Sequence, residues 1–278
     1  MLSRGGCDGS GTVSVVRGVL AGSDRSVDVE YECSGILGSG AHGHVYAGVL
    51  KRPIERTVAI KAVRGSGAMR EVGYLLACQH EHVVEFYGHW TGTFGRVYIA
   101  MERVCLNAKE AIVECDDVAV SDVVRYSRHL ISAVSYVHDR RVCHRDVKPQ
   151  NCLVDVGTGT LKLCDFGLAV RVGSCGGTYG SFYVCSRYYR APELWVQRRH
   201  GSGVYTVGID VWSVGCVIAE FFLKEPVFRK CPIAPYDVCC SALIARGAPE
   251  CVVACVRGCL RGDAGAREMM MPLCAIKQ

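Results

Sequence analysis

Three side chains between positions 144 and 167 suit one task. His144-Arg145-Asp146-Val147-Lys148-Pro149-Gln150-Asn151 is followed by Asp165-Phe166-Gly167. Asp146 could take the proton from an attacking hydroxyl, and Asn151 and Asp165 could hold magnesium against a nucleotide's phosphates. That is the chemistry of phosphoryl transfer. Between the two clusters, Cys152-Leu153-Val154 and Thr160-Leu161-Lys162-Leu163 flank Gly157-Thr158-Gly159. Short apolar runs around such a turn predict a small hairpin, which would set the two acidic loops side by side. Either cluster alone occurs by chance, with its aspartate a solvated loop carboxylate. Both, in order and at this separation, point to a shared ligand.

A triphosphate brought to these carboxylates needs further elements to hold it. The valine-rich stretch 12–20 and residues 27–36 read as strands. Leu37-Gly38-Ser39-Gly40-Ala41-His42-Gly43-His44-Val45 follows. Glycines let a turn between strands lie close over phosphates because no Cβ blocks the approach, although plain hairpins use the same pattern. Val58-Ala59-Ile60-Lys61 is then a strand with a single lysine, expected to pair the α- and β-phosphates and an acidic partner on a helix. Residues 69–76 supply that helix, with Glu71 and Leu75 on one face. Glu81 and Glu85 fall past His80, where the helix is expected to end. Residues 83–87 and 96–101 read as two more strands. Glu102-Arg103-Val104 reads as a hinge, in which the backbone of Glu102 and Val104 would hydrogen-bond an adenine and Met101 would line the back of the pocket.

Past the hinge the apolar period rises to 3.6. Val123, Val124, Ser127, Leu130, Ile131, Val134 and Val137 mark one face of a helix predicted over 121–138, with Asp122 suited to its N-terminus. The Gly- and Ser-bearing stretch 165–193 is predicted to be a long mobile loop. Residues 210–220 are apolar nearly all round and predict a buried helix. Its Asp210 would need partners, the backbone amides of the catalytic loop being the expected ones.

Composition bounds the rest. The 278 residues are 50% hydrophobic and 21% charged, a globular mixture with material for one large domain or two lobes. The run 211–223 is interrupted by Ser213 and Glu220 and is too short to span a bilayer. The first six residues lack the apolar block of a signal peptide, so an intracellular location, cytoplasmic or nuclear, is expected. Eighteen cysteines would suggest disulfides in a secreted chain. No C-x-x-C pair suggests zinc, and Cys251, Cys255 and Cys259 recur at helical spacing, so free thiols acting as small apolar residues are expected. A formal charge of +5 allows acidic or phosphorylated partners without calling for nucleic acid.

The two clusters, the glycine pattern and Val58–Lys61 together resemble the eukaryotic protein kinases over nearly the whole chain, with Val147 where leucine is usual. Within them the sequence is most similar to the glycogen synthase kinase-3 (shaggy) family of the CMGC group. The resemblance rests on Leu161-Lys162-Leu163-Cys164-Asp165-Phe166-Gly167, on Tyr183-Val184-Cys185-Ser186-Arg187-Tyr188-Tyr189-Arg190-Ala191-Pro192-Glu193, and on the length of the 144–167 interval. Cyclin-dependent and mitogen-activated kinases are the nearest rivals, but Arg70-Glu71-Val72-Gly73-Tyr74 does not match the PSTAIRE-type helix.

This resemblance implies an α+β, bilobal kinase fold: a tail over 1–12, a β-rich N-lobe with one main helix over 13–104, and a mostly helical C-lobe over 105–278, the kinase domain proper being about 31–275. It implies ATP and Mg2+ as cofactors and Ser/Thr of protein substrates as acceptors. Lys148 would contact the γ-phosphate. Residues 37–45, Ala59, Lys61, Met101, Glu102, Val104 and Leu153 would surround the nucleotide. Tyr183 matches an activation-loop tyrosine that becomes phosphorylated, with Arg187 and Arg190 as charge partners, a packed aromatic being the alternative. Family members also bind substrates primed by phosphate through three basic side chains. Arg70 and Arg145 match two, while Val170 stands at the third beside Arg171. Three further points depend on the same comparison. The tail lacks an Arg-x-x-Ser stretch for inhibition by phosphoserine. Few residues separate Phe228 from Pro249, which counts against binding of the scaffold proteins that dock on the family's insert. Arg267 would pair with Glu193. A monomer without nucleic-acid or membrane partners is expected. The rival from another class is a pseudokinase scaffold, and the full set Lys61, Glu71, Asp146, Asn151 and Asp165 counts against it.

Overall fold

Alternation of buried and exposed residues builds the first unit of the chain. In the computed structural model, which describes residues 13–23, 26–40, 43–52, 54–65, 67–173, 177–196, 201–229 and 236–263, β1 (Val13–Leu20) turns Ser14 and Val16 inward and Val13 and Val15 outward. It is followed by β2 (Ser26–Gly40), β3 (Gly43–Arg52), β4 (Arg56–Val63), helix α1 (Gly67–Ala77), β5 (Phe86–Thr91) and β6 (Val97–Glu102). All neighbours pair antiparallel, in the order β1-β2-β3-β4-β6-β5. Because β1 also pairs with β5, Gly18 opposite Trp90, the sheet closes into a barrel. Tyr31, Tyr46, Ile60, Trp90 and Tyr98 fill it, with Tyr31 and Trp90 ring centroids 4.5 Å apart. The α1 helix lies against β5 and β6.

Residues 83–87 do not form one strand. The β5 strand begins at Phe86, and Val83 makes an isolated parallel bridge to Leu163. The apolar character of Val83 and Val84 reflects burial, each being 1% exposed, and not a ladder. The backbone divides at Val104/Cys105, and His80–Val83 belongs with the second unit.

That second unit contains β7 (Leu106–Asn107), a π-helical turn at Lys109–Val113, α2 (Val120–Asp139), β8 (Val142–Cys143), β9 (Cys152–Asp155), β10 (Thr160–Leu163), β11 (Val170–Arg171), β12 (Gly177–Ser181), α3 (Pro192–Val196), β13 (Ser202–Thr206), α4 (Gly208–Leu223), α5 (Tyr236–Ala245) and α6 (Glu250–Cys259). The α4 helix is buried on every side from Gly208 to Phe222, because α2, α5 and α6 all pack on it. The expected hairpin forms between β9 and β10. The stretch 165–193 is not one long loop, since β11 pairs with β8 and β12 with β13.

Thirteen described cysteines are free, but Cys33 is disulfide-bonded, so the free-thiol expectation fails at that position. Among the described residues no helix is long and apolar enough to cross a membrane. The tail 1–12, Ala41, His42 and Arg267 lie outside the described residues, so the expected Arg267–Glu193 pair does too.

Candidate active site

In the first unit, strand alternation places Lys61. Its neighbours Ile60 and Ala62 belong to the barrel core, so Lys61 faces the other side of β4. Its Nζ donates to Glu71 Oε1 at 2.5 Å, and the two side chains are 6% and 2% exposed. Glu71 gets there on the inward face of α1, which also buries Val72 and Leu75. The glycine-rich turn continues the β2–β3 ladder through Gly38↔Val45, Ser39↔His44 and Gly40↔Gly43. Ser39 Oγ lies 2.9 Å from His44 Nδ1, and Leu37 is 47% exposed. Ala59 pairs with the buried Met101. The Glu102 amide donates to the Glu85 carbonyl at 2.8 Å, so an adenine at this residue would meet its carbonyl. Val104 is the last residue of the unit.

In the second unit the loop between β8 and β9 is fixed from beneath by Asp210, wholly buried at the start of α4. Its carboxylate accepts from the amides of His144 at 2.7 Å and Arg145 at 2.8 Å, and lies 3.0 Å from His138 Nε2. Burial pushes this carboxyl toward its neutral form. The His138 hydrogen bond and charge, with help from His144 and the Arg145 amide, outweigh burial and hold it below its ordinary value. The expected partners of Asp210 are therefore the observed ones, with His138 added. His144 is buried edge-on to Phe166, ring centroids 4.9 Å apart. A tautomer with the proton on Nε2 satisfies both of its contacts, donating to the Cys164 carbonyl at 3.0 Å and accepting from the Asp146 amide at 3.3 Å.

Asp146, 5% exposed, is gripped from three sides. Its Oδ2 accepts from Lys148 Nζ at 2.7 Å and Asn151 Nδ2 at 3.0 Å, and its Oδ1 accepts from Ser186 Oγ at 2.8 Å. Lys148 Nζ also reaches Ser186 Oγ at 3.3 Å. Ser186 carries no functional mark in the sequence, since nothing local singles out a serine that works through a partner forty positions away. The hairpin does join the two acidic loops: the Cys164 amide donates to the Asn151 carbonyl at 2.9 Å. Asp165 adopts φ 65, ψ 75, and its carboxylate accepts from the Gly167 amide. Leu153 sits on β9 opposite Asn107 and Lys162.

Among the described residues, no group of three or more His, Cys, Asp or Glu side chains is placed to hold a metal ion. Magnesium does not need one. It takes hard oxygen ligands and is bound by one or two protein groups together with substrate phosphates. Asn151 spends its Nδ2 on Asp146, which leaves Oδ1 as its ligand atom, and Asp165 offers a carboxylate. This donor set fits magnesium.

The remaining expected residues are spread over both units. Tyr183 is 59% exposed, and its amide donates to Ser181 Oγ at 3.0 Å. Arg187 is exposed. Arg190 donates to the carbonyls of Val184 and Cys185 at 2.9 and 2.8 Å. Arg145 donates to the Leu168 carbonyl at 2.5 Å and to the Tyr205 hydroxyl at 2.6 Å. Arg70 is exposed on α1 in the first unit, and Val170 is half-buried beside the exposed Arg171 on β11. A family model described as "Protein kinase domain" matches residues 31–239.

Proposed function

The chain belongs to the protein kinase family, and from that premise we propose that it transfers the γ-phosphoryl of Mg-ATP to serine or threonine of protein substrates, as a kinase of glycogen synthase kinase-3 type. The observation that carries this reading is the grip on Asp146 by Lys148, Asn151 and Ser186. A carboxylate so oriented can accept the proton of an incoming hydroxyl as that oxygen attacks phosphorus. Lys148, already in contact with both Asp146 and Ser186, would offset charge on the phosphoryl group. Lys61, oriented by Glu71, would do the same for the α- and β-phosphates. Asn151 Oδ1 and Asp165 would hold magnesium, whose charge stabilises that developing on the phosphate oxygens.

Recognition of phosphate-primed substrates would draw on Arg70 and Arg145. Arg145 already spends two donors on Leu168 and Tyr205, and Val170 offers no charge, so direct recognition of unprimed protein is the reading we favour. Radiolabelled ATP with matched Ser, Thr and Tyr peptides tests the whole. Transfer to Ser and Thr should exceed transfer to Tyr, and Asp146→Ala should lower it by about 10²–10⁴-fold while nucleotide still binds. Full activity of that variant, or a preference for Tyr, would refute the reading. Nucleotide binding without any transfer by the unaltered protein would favour a scaffold instead.

A further inference from the structure

Arg145 stands one residue before Asp146, in a left-handed backbone conformation with φ 66. Its amide is held by Asp210 at 2.8 Å. Its guanidinium spans two elements: Nε donates to the carbonyl of Leu168, which closes the turn after Asp165, and Nη1 donates to the Tyr205 hydroxyl on β13. Tyr205 is 4% exposed. Burial raises its phenol above the ordinary range although Arg145 pulls the other way, so the group that meets the guanidinium is a neutral phenol. The β13 strand pairs with β12 from Gly177↔Thr206 to Ser181↔Ser202. Gly180 on β12 lies so close that a Cβ there would meet Tyr205 Oη at 2.6 Å and Arg145 Nη1 at 3.3 Å. The chain leaving β12 leads to Ser186, the hydroxyl that donates to Asp146.

The Tyr205 phenol therefore ties the catalytic loop to the β12–β13 ladder, beside the Cys185 amide, which donates to the Arg145 carbonyl at 3.0 Å just before Ser186. An arginine in such a place is commonly satisfied by an added phosphate, which orders the segment through charge. Here a side chain already within the fold satisfies it. We propose that Tyr205 is a positioning residue that takes the Arg145 guanidinium in place of a phosphate, so that β12 is ordered and Ser186 reaches Asp146 in the unphosphorylated protein. The inference rests on the phosphoryl-transfer reading of Asp146.

The test uses the full chain, stripped of phosphate and checked by mass. The steady-state kinetics of the unaltered protein, Tyr205→Phe, Arg145→Met and the double variant are compared, alongside limited proteolysis of the 177–181 segment. The stripped protein should be active. Loss of one charge-assisted hydrogen bond should lower kcat about tenfold or more in Tyr205→Phe with KM for ATP unchanged, and the double variant should be no worse than Arg145→Met. Cleavage within 177–181 should quicken in Tyr205→Phe. Gly180→Ala, which crowds the same hydroxyl, should give the same pattern with the phenol still present. Unaltered kcat and protease resistance in Tyr205→Phe, or fully additive losses in the double variant, would overturn the inference, as would a stripped protein that becomes active only when Tyr183 is phosphorylated. If the unaltered protein transfers no phosphate at all, the functional reading fails by itself, and the proteolysis still decides whether Tyr205 orders β12.

Discussion

Lys61 and Glu71 are nearly removed from water and are paired with each other. A buried ion pair gains little over an apolar pair while it is intact, but removing one partner takes a counter-charge away from a group held out of water. Glu71→Ala should therefore destabilise the protein by about 3–5 kcal/mol, seen as a lower denaturant midpoint, and adding Lys61→Met should recover part of the loss. A single variant as stable as the unaltered protein would contradict this account. The candidate residues that the sequence marks, Lys61 and Glu71 in the first unit and Asp146, Asn151 and Asp165 in the second, sit in short motifs where neighbouring positions carry the same chemistry. Ser186 and Tyr205 were not legible. Their partners lie 40 and 60 positions away, and a lone hydroxyl gives no sign of what the fold will bring to it.

Among the elements, α4 shows how closely the second unit is packed. Gly215 faces α6, where an added Cβ would meet Cys259 Cβ at 2.6 Å and Leu260 Cδ2 at 3.1 Å. The nearest atom is fixed to the α6 backbone and cannot swing aside. Gly215→Ala should then force the helices apart at a cost of about 1–3 kcal/mol, measurable as a fall in melting temperature of about 2–4 °C per kcal/mol for a chain of this size. An unchanged melting temperature would show that α6 gives way freely. This helix was legible because an apolar pattern on all sides has no other home than a core. The β12 and β13 strands were not, since Gly-Thr-Tyr-Gly-Ser and Ser-Gly-Val-Tyr-Thr have no strand pattern of their own and become strands only by pairing with each other. Residues 83–87 misled in the opposite sense, as burial imitated a ladder.

For the molecule as a whole, acid is expected to be destabilising through a stack of imidazoles. The chain leaves the first unit at Gln79, lends His80–Val83 to the second, and returns at Val84. In that short visit His82 stacks on His129 of α2 with centroids 3.9 Å apart, and His80 lies 4.5 Å from Tyr136. Burial lowers the pKa of all three histidines, with Glu81 opposing it, and brings His129 down to about 4. A base depressed in the folded state is neutral there and gains protons on unfolding. Its contribution is thus complete above the ordinary value of 6.5 and is lost as pH falls toward about 4. Denaturant midpoints should drop across that window, and His129→Gln should flatten the drop. A midpoint that does not vary with pH would remove the histidines from the account.

The closure of the first sheet by β1 has one more effect. An open sheet ends in strands whose outward N–H and C=O groups can capture a strand of another molecule. With β1 bonded to β2 over Val13–Val19 and to β5 over Gly18–Leu20, part of that rim is covered, and strand addition at this unit is restricted to what the short β1–β5 seam leaves.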